Sequence, residues 1–98
     1  MNVYVLRYQF SHHGESFTRS VHVTHKGALL EQCTYLLEVL LDMDWDDEDL
    51  KEMVFIENIL KNDEPITVDE LIQHVNVLER CAEYEEIYTE IEELRLLP

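Results

Sequence analysis

Apolar and polar side chains alternate along the first two dozen residues. Tyr4, Leu6, Tyr8 and Phe10 interleave with Val3, Val5, Arg7 and Gln9, the period-two pattern of a strand with one wholly apolar face. Phe17, Arg19, Val21 and Val23 alternate with Thr18, Ser20, His22 and Thr24, which predicts a second strand. Ser11-His12-His13-Gly14-Glu15 joins the two, with Gly14 free to take the positive φ that a short hairpin loop usually needs. A lone hairpin is marginal, so its aromatic face requires cover from helices or a further strand.

From Lys26 the period lengthens. Leu29, Leu30, Cys33, Leu36, Leu37, Leu40 and Leu41 form the wide apolar stripe of one helix, with Thr24 as its N-cap and Gly27 in its first turn. The run Asp42-Met43-Asp44-Trp45-Asp46-Asp47-Glu48-Asp49 ends that helix, and one of its aspartates is placed to cap the next. That helix would turn Leu50, Met53, Val54 and Leu60 inward. Met53-Val54-Phe55-Ile56 also fits a short buried strand, so residues 53–60 stay open between helix and strand.

Asn62-Asp63-Glu64-Pro65 is a turn, and Thr67-Val68-Asp69-Glu70 is a capping box. Leu71, Ile72, Val75 and Leu78 make a helical stripe, and Tyr84, Ile87, Tyr88, Ile91 and Leu94 make a last one. No Gly or Pro separates them, so residues 68–95 form one bent helix or two. The predicted fold is a single α+β domain over residues 1–98. It has an N-terminal antiparallel β-hairpin packed on a long helix, followed by two or three further helices. Tyr4, Leu6, Tyr8 and Phe10 should meet Leu29, Cys33, Leu36 and Leu40 in the core.

Charge changes the picture more than composition does. The 98 residues hold 22 acids against seven Lys and Arg, a formal charge of −15, while 46% hydrophobic residues and two Gly and two Pro describe a globular chain. Residues 1–41 balance Glu15, Glu31 and Glu38 against Arg7, Arg19 and Lys26, so the whole excess lies in residues 42–98. Direct nucleic-acid binding needs clustered bases and is excluded, as is a polybasic membrane contact. The N-terminus lacks a signal-peptide pattern, and the longest apolar run, four residues, is too short to span a bilayer. A cytoplasmic protein is expected. Cys33 and Cys81 then read as reduced, partly buried thiols.

Candidate chemistry is sparse. Asp42 to Asp49 opens like a calcium loop, but the sixth and twelfth positions counted from Asp42 are Asp47 and Met53, where the loop requires Gly and Glu. His12, His13, His22 and His25 lack the convergent spacing of a zinc site. There is no nucleophile elbow, phosphate-cradling glycine loop or zinc-protease motif. No catalytic residue, metal or cofactor is expected, and an enzyme is not.

What remains is surface. Asp42, Asp44, Asp46, Asp47, Glu48 and Asp49 form an acidic patch, or simply a solvated loop. Trp45 is its aromatic anchor, unless the ring is buried in the core. On a helix, Glu83, Glu86, Glu90 and Glu93 would share one stripe with axial steps of roughly 4.5 to 6 Å. That spacing is of the order of a phosphate row, and the bland alternative is an ordinary charged outer face. No base lies between Glu83 and Glu93, although like charges at helical spacing oppose the helix.

With those clusters and no catalytic motif, the chain resembles the small acidic inhibitors of phages and mobile elements, DNA-mimic antirestriction and anti-CRISPR proteins among them. The resemblance covers a type of surface over residues 42–98 and no sequence motif. It implies a non-enzymatic inhibitor, acting in the host cytoplasm of an infected bacterium. Such a protein binds a basic nucleic-acid-binding effector or nuclease through Asp42, Asp44, Trp45, Asp46, Asp47, Glu48, Asp49, Glu83, Glu86, Glu90 and Glu93, and keeps DNA or RNA out. An immunity protein or antitoxin against a basic nuclease is the alternative, and a non-inhibitory acidic adaptor is the third. Either a monomer or a homodimer is compatible with these patterns.

Overall fold

The computed structural model describes residues 1–11, 13–62 and 65–97, and its elements run β1 (Asn2–Phe10), β2 (Ser16–His22), α1 (His25–Leu41), α2 (Asp47–Lys61), α3 (Val68–Tyr84) and β3 (Ile87–Arg95). The strands form one antiparallel sheet in the order β2-β1-β3. The α+β class and the hairpin stand as expected, but the C-terminal element does not. Residues 87–95 are a strand on the free side of β1. Nor does one long helix dominate: α1 and α3 each have 17 residues.

The reason for β3 is local and tertiary at once. Ile87, Tyr88, Thr89 and Ile91 are β-branched or aromatic, types that fit a pleated surface. Their spacing satisfies both a helical stripe and strict alternation, and β1 decides between them. Its apolar face needs paired neighbours on both sides, and Phe10, Tyr8 and Leu6 lie opposite Ile87, Thr89 and Ile91. The helix stops without a glycine. Glu86, the second residue beyond α3, takes φ 56°, the left-handed turn that ends many helices, and its N–H bonds the Glu83 carbonyl at 3.1 Å.

Side-chain oxygens begin all three helices. Thr24 Oγ1 accepts from the Gly27 N–H at 2.9 Å, Asp46 Oδ1 from the Asp49 N–H at 2.9 Å, and Thr67 Oγ1 from the Glu70 N–H at 3.1 Å. Residues 53–60 are therefore helix within α2. Asp63 and Glu64 of the expected turn, and His12 of the hairpin loop, lie outside the described residues.

The hairpin holds two further corrections. Ser11, not Gly14, adopts positive φ (68°), and its N–H bonds the Glu86 carbonyl at 2.7 Å. Gly14 is required for space, because a Cβ there would sit 2.0 Å from the Phe10 carbonyl oxygen. In β2 the alternation breaks at a bulge, since Leu6 faces Ser20 while Arg7 faces Thr18, leaving Arg19 as the extra residue. Phe17 and Arg19 turn toward the helices, and Val21, opposite Val5, turns away.

The core lies between the Tyr4/Leu6/Tyr8 face of the sheet and the pair α1 and α3. Leu6, Cys33, Leu36, Leu40, Met53, Leu71 and Leu78 are fully buried. Tyr8 stacks on Tyr35 and Phe17, but Phe10, expected inside, is half exposed at the end of β1. Gln32 is the one buried polar side chain among the described residues. Its amide donates to Glu79 at 3.0 Å and to Thr89 at 2.9 Å, tying α1 to α3 and β3. α2 packs on α1 and α3 and touches no strand, and the molecule spans 50 × 37 × 17 Å.

Candidate acidic interaction surface

The first acidic cluster sits where α1 hands over to α2. In the last turn of α1 the Leu40 carbonyl accepts from the Asp42 N–H at the cap, from the Met43 N–H at 3.0 Å and from the Trp45 indole N–H at 2.6 Å. Trp45 is half-buried and packs against the core. Its ring thus fastens the loop to the body, with part of it left exposed. Asp42, Asp44, Asp46, Asp47 and Glu48 are exposed around it, and Asp49 is half-buried.

These carboxylates have uneven duties. Asp46 caps α2, and Asp47, Glu48 and Asp49 occupy its first turn, where negative charge meets the positive end of the helix dipole. Asp42 and Asp44 precede the cap and have no such role. Among the described residues, none of the six is in a salt bridge. The field reaches across to α3. Burial, and next the Asp49 carboxylate, push the Cys81 thiol above its usual range, with Glu52 and Asp46 adding to the rise and Arg80 opposing it.

Beside Asp42, residues of α1 and α2 line a groove of about 610 Å³. Leu37, Leu41 and Leu60 supply its apolar surface, and Glu38, Asp42, Glu57 and Lys61 are also among its lining residues. Glu57 pairs with Lys61 at 3.5 Å and Glu38 with Arg19 at 3.5 Å. Sequence reading missed Glu38, Glu57 and the leucines as groove residues, of which Leu37 is buried and Leu41 and Leu60 are half-buried. The available signal was the width of the α1 stripe: Leu37 and Leu41 extend beyond what a narrow sheet covers.

The second cluster is not the row it was expected to be. Glu83 ends α3 and Glu86 occupies the turn, while Glu90 and Glu93 lie in β3, three residues apart and so on opposite faces. Glu93 accepts from Asn2 Nδ2 at 2.6 Å and from the Tyr4 hydroxyl at 3.3 Å. Glu92, on the face of Glu90, pairs with Arg7 at 3.1 Å. A helical stripe with phosphate-like spacing does not exist. The Glu-rich sequence instead occupies an edge strand, where charge deters pairing with another chain.

Neither cysteine is poised for chemistry. Burial, and secondarily Glu79, push the Cys33 thiol up to about 12, so it stays protonated at neutral pH. Among the described residues no three His, Cys, Asp or Glu side chains converge as metal ligands, and no helix is long and apolar enough to cross a membrane. Compared with known protein families, curated proteins and solved structures, the chain matches none.

Proposed function

We propose that this protein is a non-catalytic inhibitor that binds a basic, nucleic-acid-binding protein and keeps DNA or RNA from its site. The observation that carries this reading is the Asp42–Asp49 loop: six carboxylates at one helix junction, none ion-paired among the described residues, held by Trp45. The adjoining groove combines leucine side chains with Glu38, Glu57, Lys61 and Asp42, the last without an ion pair among the described residues, so it suits a segment that is apolar along its length with a cation at the Asp42 end. Carboxylates with no internal partner are also those that speed encounter with a basic surface.

The contact surface is Asp42, Asp44, Asp47 and Glu48 with the groove beside them. Glu90 and Glu93 fall outside it, since Glu93 is already hydrogen-bonded and β3 lies across the molecule's other layer. Affinity capture from host lysate at low and high salt, with DNA added as competitor, tests the reading. A partner released both by salt and by DNA supports it. A partner that stays bound when DNA is in excess rules out competition for a nucleic-acid site.

A further inference from the structure

α1 and α3 cover the Tyr4/Leu6/Tyr8 side of the sheet, and among the described residues no helix packs on the other side, where Val5 is buried by its strand neighbours alone. Its two ends differ in chemistry. Toward the hairpin loop it presents Arg7, Gln9, Thr18, Tyr88 and Glu90, a polar surface. Toward the chain termini Val5 lies opposite Val21, and Val3 lies opposite Leu94. The Leu96 N–H to Met1 carbonyl bond, 2.8 Å, extends the ladder, and Val23 follows directly after β2. On that end the open face carries one carboxylate, Glu92 beside Val5, and it is paired with Arg7 at 3.1 Å.

We propose that this apolar end of the open sheet face docks a second copy of the chain, sheet against sheet. Met1 is 80% exposed, Val21 59%, Val23 71% and Leu96 49%, so the patch leaves on the order of 500 Å² of apolar surface in water, a size that marks interaction sites. Two such faces bury roughly 1,000 Å² together, the lower bound for a specific interface. Stacked sheets pack about 10 Å apart with their side chains interdigitated, and branched valines suit that contact.

Charge selects a copy of the same chain over a charged partner. Within the patch Glu92 is balanced by Arg7, so it offers no excess charge to the basic protein that the acidic loop would attract. Along its border Arg7 lies opposite Glu90 and is ion-paired with Glu92, the pair partly exposed. A two-fold axis sets Arg7 of one copy near the partner copy's glutamates, which makes the border complementary to itself. Each copy carries −15, and the Asp42–Asp49 loops sit on helices, in the layer away from this contact.

The proposal has a salt signature opposite to that of a charge-driven complex. Screening weakens repulsion between two acidic chains and leaves apolar burial intact, so dimerisation strengthens as salt rises. Sedimentation equilibrium of the intact protein at low and high salt reads this directly. The expected result is a dimer favoured by high salt, lost in Val21→Lys and in Val23→Lys, and kept in Val54→Lys on the exposed side of α2, with far-UV circular dichroism confirming each fold. Lysine lowers the net negative charge, so general repulsion predicts a tighter dimer where the patch predicts none. A wild-type monomer at every concentration and salt would overturn the proposal and leave the face to a different partner. So would a dimer indifferent to Val21→Lys and Val23→Lys.

Discussion

Two acidic segments of this protein look alike in composition and behave differently in the fold. Asp42–Asp49 joins two helices and leaves its carboxylates without internal ion pairs among the described residues. Glu86–Glu93 enters an edge strand, and there Glu92 is held by Arg7 and Glu93 by Asn2 and Tyr4. The first segment projects a field, and the second is partly absorbed into the sheet. Charge density along a sequence is therefore a poor guide to an electrostatic face. What matters is whether the backbone offers each carboxylate a partner.

The contrast can be broken most forcefully through the residues beneath each segment. Ile87 is buried where β3 begins, so Ile87→Ala should cost about 2 to 5 kcal/mol in chemical denaturation, the range for large-to-small core changes. Leu50, 40% exposed on α2 just after the acidic loop, should cost no more than about 0.5 kcal/mol when changed to alanine. Equal losses would mean that the loop region is as integral to the fold as β3.

Next comes the loop carboxylate that makes the capping hydrogen bond of α2. Asp46→Ala removes the α2 cap and should lower stability by about 1 kcal/mol, whereas Asp44→Ala, outside the cap, should leave it unchanged. Smaller still is the exposed Arg7–Glu92 pair, for which a double-mutant cycle should return a coupling below about 0.5 kcal/mol.

The last effect is visible only as a slope with pH. Burial, and then the neighbouring Glu83 carboxylate, raise the Glu79 pKa, with the Gln32 hydrogen bond opposing the shift. The folded state thus holds that proton more tightly than the unfolded chain does. Stability contributed by the protonated form is lost as pH rises from the ordinary carboxylate range through the raised value. Glu79→Gln should flatten the stability profile in that window, and an unchanged slope would assign it to general charge repulsion.

Much of this fold was legible in the sequence. Thr24, Thr67 and an aspartate of the loop were readable as caps because a short polar side chain just before an apolar stripe has one strong local use. The Tyr4/Leu6/Tyr8 face was readable from its alternation. β3 was not, because Ile87, Tyr88 and Ile91 satisfy two periods at once, and the left-handed break at Glu86 lacks the expected glycine. The bulge at Arg19 was equally hidden, since one extra residue reverses the faces of Val21 and leaves composition untouched. For the candidate site, the aspartates could be named from sequence. The groove beside them could not, because it is lined by residues of α1 and α2 that only the fold brings together.

The claim that the loop and not the strand meets a basic partner is tested most directly by measuring capture of that partner with two neutralised variants. One carries Asp44→Asn, Asp47→Asn and Glu48→Gln, and the other carries Glu90→Gln and Glu93→Gln. The account predicts that the loop variant loses the DNA-competable partner at low salt while the strand variant retains it at the wild-type level. Loss with the strand variant and retention with the loop variant would contradict it.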